Sequence, residues 1–140
     1  MAIKQLSVLA ENKKGSLKRI IDLLSEAGLD LRSICIADTE DYGILRIIAD
    51  DTKKAEQILT ENGFTARATE VAAVAIPDRP GGLSGVLEIL DRENINIEYM
   101  YSVISSHANE AYMVLRGNDN EKTEKALKSA GIKVLGEKDI

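Results

Sequence analysis

The chain has 140 residues, of which 44% are hydrophobic and 29% charged, and its net charge is -5. This composition is typical of an ordinary globular chain, and the acidic balance argues against a nucleic-acid partner, which normally leaves a basic footprint. No apolar run approaches the roughly 20 residues that span a bilayer. Residues 1–15 also lack the pattern of a signal peptide. We therefore expect a cytoplasmic protein with no membrane partner.

The first half of the chain predicts the order strand, helix, strand, strand, helix, strand. Alternating apolar residues indicate the strands, and apolar stripes that end at Gly28 and Gly63 indicate the helices. Residues 38–43 have the composition of a hairpin loop. The predicted ranges are strands at 3–10, 31–37, 44–49 and 64–69, and helices at 16–27 and about 52–62.

The second half repeats this order, with Gly15-Ser16-Leu17 recurring 66 positions later as Gly81-Gly82-Leu83. Two copies at so long a period indicate complete mini-domains of roughly 70 residues rather than a solenoid. The predicted domains are residues 1–70 and 71–140. The predicted elements of the second copy are strands at 71–76, 97–104, 111–116 and 132–136, and helices at 83–93 and 121–130.

This element order is that of the ferredoxin-like split βαβ fold, an α+β class in which both helices cover one face of a four-stranded antiparallel sheet. No linker rich in Pro, Gly or Ser separates the copies, because Glu70 is followed directly by Val71 at the start of the next predicted strand. Two domains joined so closely are expected to share a fixed interface.

The two turns that precede the first helix of each copy are the candidate sites. In Asp78-Arg79-Pro80-Gly81-Gly82-Leu83, proline stiffens the turn, and the glycines permit unusual backbone angles and close approach of a ligand. The free N–H groups at a helix start can bind a carboxylate. The first copy keeps Gly15 and lacks the proline. The alternative is that both turns only reverse the chain.

The pattern Asp78-x-Pro80-Gly81-x-Leu83, followed by a helix and then by Asn96-Ile97, resembles the ACT domain, a small-molecule regulatory module of amino-acid metabolism. The resemblance covers both copies and nearly the whole chain. It implies ferredoxin-like βαββαβ domains packed side by side with an extended antiparallel sheet. It also implies a free amino acid bound at the seam between two domains.

The resemblance also implies which residues bind the ligand. Asn12 and Asp78 stand just before the turns, and Asp30 and Asn96 open the second strand of each copy, from which the family contacts the partner domain. A further polar position of some members is missing here, where Ala10 and Ile76 stand. The candidate ligand-binding residues are Asn12, Gly15, Ser16, Leu17, Asp30, Leu31, Asp78, Gly81, Gly82, Leu83, Asn96 and Ile97.

Exchange of contacts between the domains would pair Asn12 with Asn96 and Asp78 with Asp30. Two amides can both donate and accept hydrogen bonds, which suits an amino-acid zwitterion, whereas two acids favour an ammonium group or repel each other when the site is empty. We expect the Asn12/Asn96 end to be the stronger site. The alternative is that these four residues only form turns and caps.

Other chemistry-bearing residues are weaker candidates. His107 lies in a predicted loop without a nucleophile or second ligand beside it, and Cys35, the single cysteine, is expected to be a small buried hydrophobe. Tyr99 and Tyr101 share a strand face with the spacing of a base-stacking surface, but the acidic charge favours packing against the partner domain. No catalytic triad, metal cluster or phosphate loop is apparent in the sequence.

Three functions follow. We expect first a non-catalytic sensor of a free amino acid, without a cofactor, that acts on a separate regulated protein. The second is a ligand-free interaction or dimerisation module, and the third is a small enzyme, because fold does not fix function. Edge strands left bare favour a homodimer.

Overall fold

The computed structural model describes residues 2–37, 40–105 and 107–140, and the chain forms two compact units. The first unit is Lys4–Thr69, and the second contains Glu70–Ile140 together with the start of the chain up to Ile3. Part of the predicted 38–43 loop, Asp38 and Thr39, lies outside the described residues, as does Ser106 in the predicted loop around His107.

The first unit is a ferredoxin-like βαββαβ module. Its sheet has the order β2, β3, β1, β4; β3 pairs antiparallel with both β1 and β2, and the chain leading into β4 bonds to β1 through Leu9 N–H and the Thr65 carbonyl at 2.9 Å. The elements are β1 (Ile3–Glu11), α1 (Ser16–Glu26), β2 (Leu31–Ala37), β3 (Tyr42–Ala49), α2 (Thr52–Glu61) and the beginning of β4 (Ala66–Pro77).

The second unit repeats the module and its strand order, β5, β6, β4, β7, with every neighbouring pair antiparallel. The predicted ferredoxin-like α+β fold is therefore confirmed in both copies. The elements that follow β4 are α3 (Gly82–Arg92), β5 (Ile97–Val103), β6 (Glu110–Gly117), α4 (Asn120–Ser129), β7 (Lys133–Leu135) and a 3-10 turn at Glu137–Asp139.

Each unit has its own hydrophobic core between the helices and the sheet. In α1 the buried residues Ile20 and Leu24 are four positions apart, and in α3 Val86 and Leu90 have the same spacing, which places each pair on one helical face. Leu45 and Ile47 of β3 face the first core. Full burial of such a side chain contributes about 1.5–3 kcal/mol to folding.

The helix ends follow local chemistry that both copies share. The Asp51 carboxylate accepts from Lys54 N–H at 3.0 Å, and Asp119 accepts from Lys122 N–H at 3.1 Å, so α2 and α4 have equivalent N-caps. Gly28 follows α1 with φ 72°, and Asn94 takes the same left-handed position after α3 with φ 55°. Within the described residues no helix is long and apolar enough to cross a membrane.

The predicted boundaries differ from the structure mainly where the two copies join. The strands predicted at 64–69 and 71–76 form one strand, β4 (Ala66–Pro77), because nothing at Glu70 turns the chain. The 3-10 turn was not predicted. It is closed by two hydrogen bonds between the same residues, from Gly136 N–H to the Asp139 carboxylate at 2.7 Å and from Asp139 N–H to the Gly136 carbonyl at 3.0 Å, and not by an apolar pattern.

Candidate functional site

The turn between β1 and α1 has a backbone fixed by three hydrogen bonds. Asn12 N–H donates to the Asp41 carbonyl at 2.8 Å, Lys13 N–H to the Glu11 carbonyl at 3.0 Å, and Ser16 N–H to the Lys13 carbonyl at 3.3 Å. Gly15 stands before the helix with φ 89°, in the left-handed region. This conformation costs a residue with a Cβ roughly 1–2 kcal/mol.

The turn between β4 and α3 repeats that backbone. Asp78 N–H donates to the Asn109 carbonyl at 2.8 Å, Arg79 N–H to the Pro77 carbonyl at 2.9 Å, and Gly82 N–H to the Arg79 carbonyl at 3.1 Å. Gly81 has φ 87°. Glycine has no side chain with which to cap a helix, so the first-turn amides that follow Ser16 in α1 and Gly82 in α3 receive no side-chain cap.

The side chains on this shared backbone differ. A Cβ added at Gly82 would collide with the carbonyl oxygen of Pro77, whereas Ser16 carries a Cβ at the equivalent position of the first copy. The second turn therefore brings its backbone closer to the end of the preceding strand. The second glycine of Pro80-Gly81-Gly82 permits this close approach.

Asn12 also connects its turn to the hairpin between β2 and β3. Its side-chain Nδ2 donates to the Glu40 carbonyl at 3.1 Å, beside the backbone bond from Asn12 to Asp41. The amide group predicted to contact a ligand thus has a structural task in the first unit as well.

The residues that open the second strands are held by an identical bridge in the two copies. Asp30 N–H donates to the Asp50 carboxylate at 3.1 Å, and Asp50 N–H donates back to the Asp30 carbonyl at 3.0 Å. Asn96 and Asn118 exchange the same two bonds at 3.1 and 3.0 Å. On the Asp30 and Asn96 side the bonds use backbone atoms, so the bridge itself engages neither side chain.

The carboxylate of Asp30 has a cationic partner within the first unit. Its carboxylate lies 3.1 Å from the guanidinium of Arg32, in a pair that is about half exposed. An exposed ion pair of this kind contributes little to stability.

Within one unit the structure separates the two predicted sets of residues. Ala10 lies opposite Gly43 and Ala37 opposite Ile44, so the Asn12 turn lies at the end of the sheet where β2 ends. Asp30 precedes Leu31 at the other end of β2. The second unit has the same polarity. A contact between the two sets requires two domains, and the pairs Asn12/Asn96 and Asp78/Asp30 stay predictions.

A cleft of about 360 Å³ lies beside the first turn. It brings together Asn12 and Leu17, both predicted, with Ile36, Ala37 and Gly43, which the sequence analysis missed. The signal that could have found Ile36 is the apolar run at residues 34–37 of β2, which predicts a strand end with apolar residues on both faces.

Two charged side chains border this cleft. Glu11 and Lys13 form an exposed ion pair of 2.7 Å, and the hydrogen bond that the Lys13 ammonium group donates to the Glu11 carboxylate raises the pKa of Lys13 above its ordinary value. Lys13 therefore remains a cation across the physiological pH range. The cleft has an apolar floor and a polar rim that carries both signs of charge.

The weaker candidates have structural surroundings of their own. His107 is exposed, and its Nδ1 lies 3.0 Å from the hydroxyl of the buried Tyr112. Cys35 was expected to be buried, but it is only half-buried on β2. Tyr101 is buried and Tyr99 half-buried on β5.

A family model described as "ACT domain pair" matches residues 1–140. The chain belongs to this family, and the resemblance predicted from the turns is confirmed. The two βαββαβ units described above agree with a pair of such domains.

Solved structures agree on the fold. The crystal structure of protein BT0572 from Bacteroides thetaiotaomicron matches 99% of this chain and 95% of its own, with 37% identity and a TM-score of 0.92. The ligand-free regulatory subunit of aspartate kinase from Thermus thermophilus matches 91% of both chains, with 15% identity and a TM-score of 0.67. At that identity the second likeness concerns the fold alone.

Curated relatives match a shorter region. The acetolactate synthase small subunit of Buchnera aphidicola subsp. Baizongia pistaciae is 43% identical over 56 residues, which is 38% of this chain and 35% of that protein. The acetolactate synthase isozyme 3 small subunit of Escherichia coli K12 is 41% identical over 56 residues, covering 38% and 34%. The chain matches about a third of the length of these relatives.

Proposed function

We propose that this chain is a non-catalytic regulatory protein of the cytoplasm that binds a free amino acid and acts as a homodimer on a separate protein. The observation that carries the proposal is the shared geometry of the two turns before α1 and α3, each with a left-handed glycine and an uncapped helix start. Backbone N–H groups at a helix start suit a carboxylate. The curated relatives are named as small subunits, which supports a separate partner.

The proposed ligand is a zwitterion, because one half of the proposed site can bind its carboxylate and the other half can bind its ammonium group. First-turn amides of α1 would receive the α-carboxylate, and the amide oxygens of Asn12 and Asn96 would accept from the α-ammonium group. The complete set of proposed binding positions is Asn12, Gly15, Ser16, Leu17, Asp30, Leu31, Asp78, Gly81, Gly82, Leu83, Asn96 and Ile97. The Asn12/Asn96 end is proposed as the stronger site.

The absence of a catalytic role is supported by the chemistry at the first turn. The pKa values of Lys13 and Lys18 are raised by the hydrogen bonds that their ammonium groups donate to Glu11 and Asp22, so neither amine is a base near neutral pH. Catalytic groups are usually shifted toward the pH at which they work. The amides and backbone donors of the turns bind and orient, and they do not supply a nucleophile.

Asn96→Ala is the sharpest test of the site. The bridge to Asn118 uses the backbone atoms of Asn96, so this substitution removes the proposed ligand contact and keeps the bridge. Asn12→Ala is less clear, because it also removes the bond to Glu40. Titration calorimetry with each of the twenty amino acids should find one that binds the wild type and binds Asn96→Ala at least about tenfold more weakly. Equal affinity of the two proteins would exclude the Asn96 contact.

The alternative of a ligand-free interaction module is favoured by one observation, the exposed apolar side chains Leu17 and Ile36 at the cleft. Thermal unfolding distinguishes the two functions. A ligand that binds the native state raises the melting temperature by an amount that grows with the logarithm of its concentration above Kd, whereas a ligand-free module is unaffected by every amino acid.

A further inference from the structure

A second cleft, of about 390 Å³, lies in the first unit between the start of α1, residues 62–65 after α2, and the adjoining ends of β1 and β3. The cleft described above extends from the first turn toward β2, and this one extends toward the beginning of β4, on the other side of β1. Of the positions proposed for the amino acid, Ser16 is the one that also lines it. We call it the Arg19 cleft.

Arg19 is held in this cleft by an aromatic ring. Its guanidinium carbon lies 5.6 Å from the centroid of the Phe64 ring, which is a cation–π distance. Phe64 is half-buried and packs against the first core, so the ring is a fixed support. The ion pairs of the described residues do not include Arg19. A guanidinium above a ring keeps its N–H donors in its own plane, where two oxygens of a carboxylate or phosphate can accept them.

The wall formed by residues 62–65 is fixed at both ends. Phe64 N–H donates to the Leu59 carbonyl at 2.9 Å, which ties the beginning of the segment to α2. Leu9 N–H donates to the Thr65 carbonyl at 2.9 Å, which ties its end to β1. The hydroxyl of Thr65 therefore has a defined place beside the sheet, and a hydroxyl can donate to an anion.

The charge of the Arg19 cleft is positive. Lys13 and Glu11 line it as an ion pair of 2.7 Å, so the carboxylate is compensated within the cleft. The charge of Arg19 is left over. The whole chain has a net charge of -5, so a cationic cleft runs against its composition. Its charge favours an anionic ligand.

Apolar surface borders the cationic part of the cleft. Leu9 is 43% exposed and Tyr42 is 49% exposed, and both line the cleft. Glu11 lies opposite Tyr42 and two positions after Leu9, which places the three side chains on one face of the sheet. Two apolar side chains cannot supply the roughly 800 Å² that a stable protein interface buries on each partner. They can cover one face of a small ring.

The second copy provides an internal comparison. Gly85 stands 66 positions after Arg19, at the same place in the first turns of α3. The residue after the left-handed glycine that follows the second helix is Phe64 in the first copy and Ile132 in the second. The second copy thus has neither the guanidinium nor the ring that supports it. The shared fold does not require this pair of residues.

We propose that the Arg19 cleft binds a small organic anion that carries a flat ring, as a ligand distinct from the amino acid proposed above. Its oxyanion accepts hydrogen bonds from the Arg19 guanidinium and the Thr65 hydroxyl. Its ring lies on Leu9 and Tyr42. The leftover positive charge repels an ammonium group, so the cleft selects a ring-bearing anion over an amino-acid zwitterion. A protein with both sites responds to two different ligands.

Three ring-bearing probes test this selection. The anions 3-phenylpropionate and phenyl phosphate distinguish a carboxylate from a phosphate ligand, and phenylalanine adds an ammonium group to the first of them. NMR titration of the full chain should give saturable amide shifts at Arg19, Phe64 and Thr65 with at least one of the two anions, and weaker binding of phenylalanine at these residues. The absence of saturable shifts with both anions overturns the proposal. Inorganic phosphate that binds as tightly as phenyl phosphate contradicts the role of the ring.

Arg19→Gln and Lys14→Gln form a matched pair, because each removes one positive charge and Lys14 is an exposed cation of the neighbouring turn that does not line the cleft. Arg19→Gln should weaken the anion that binds at least about tenfold, and Lys14→Gln by less than about twofold. Phe64→Leu keeps an apolar side chain and removes the ring, and it should also weaken binding. Urea unfolding of each variant confirms that the unit remains folded. Equal losses in Arg19→Gln and Lys14→Gln contradict a specific contact with Arg19.

This site and the proposed amino-acid site are tested independently. Asn96→Ala should leave the binding of the anion unchanged, and its calorimetry with amino acids reports on the other site. Failure of every amino acid to bind contradicts the proposed function and leaves the Arg19 cleft standing. Failure of both anions has the reverse meaning.

Discussion

Gly15 and Gly81, 66 positions apart, have the same left-handed backbone conformation, with φ 89° and 87° and ψ -14° and -10°. Gly15 stands immediately before α1, which follows the first strand of its unit, and Gly81 stands in the same position before α3. Duplicated sequence has thus kept a duplicated backbone at the point where the proposed ligand would meet the chain.

Gly15→Ala and Gly81→Ala should each destabilise the protein by about 1 kcal/mol, because alanine is strained at positive φ. No atom lies within 4 Å of a Cβ at either position, so the cost is that of the backbone alone. Urea unfolding measures it. Gly85→Ala is the control: Gly85 lies in α3 with open space around it, and alanine should stabilise the helix by up to about 1 kcal/mol. Equal effects at all three positions would contradict the backbone explanation.

Gly82→Ser and Ser16→Gly exchange the residues of the two turns, and they should differ in cost. A Cβ at Gly82 collides with the Pro77 carbonyl, so Gly82→Ser should destabilise by about 1–3 kcal/mol. Ser16→Gly removes a side chain without a collision and should cost below about 1 kcal/mol. The midpoints of urea unfolding compare the two. If Gly82→Ser proves neutral, the second turn is not the tighter one.

Asn118→Ala should cost about 0.5–1.5 kcal/mol, since it removes the side-chain oxygen that accepts from Asn96 N–H. Asn96→Ala should be nearly neutral in stability, because its side of the bridge is backbone. The same contrast is expected between Asp50→Ala and Asp30→Ala in the first unit. Thermal and urea unfolding measure the four variants, and a loss of stability in Asn96→Ala would show that its side chain also has a structural task.

Asp51→Ala and Asp119→Ala should each destabilise by about 1 kcal/mol through loss of the N-caps of α2 and α4. Replacement by asparagine keeps an oxygen acceptor and should recover most of that loss. The comparison is made by urea unfolding at neutral pH. Were asparagine as costly as alanine, charge and not the cap hydrogen bond would be the source of stability.

Most of the fold could be predicted from the sequence, because the apolar residues of this chain recur clearly with the helical period of 3.6 residues or the strand period of two. The range predicted for β2, 31–37, is the observed one, and the observed α3, Gly82–Arg92, is displaced by one residue from the predicted 83–93. Prediction was wrong where local residues carry no signal. β4 continues through Glu70 because an exposed polar residue is as acceptable in a strand as at a boundary.

The two turns of the candidate site could be predicted from the sequence, and the residues that line the cleft beside the first turn could not. Glycine, proline and strand-to-helix order mark the turns through local rules. Ile36 and Gly43 join the cleft through strand neighbours that sequence spacing does not reveal. The bond from Asn12 to Glu40 is likewise a contact over 28 positions of chain.

The bridges at the start of the second strands have the same hydrogen bonds in both copies but carry different charges. In the first copy the bridge joins Asp30 and Asp50, and in the second it joins Asn96 and Asn118, with the same two hydrogen bonds. Carboxylate and carboxamide oxygens accept the same backbone proton, so two negative charges are present in one copy and absent from the other at no cost to the chain path. An exchange between Asp and Asn at these four positions can therefore retune the local field of either domain while its fold is preserved.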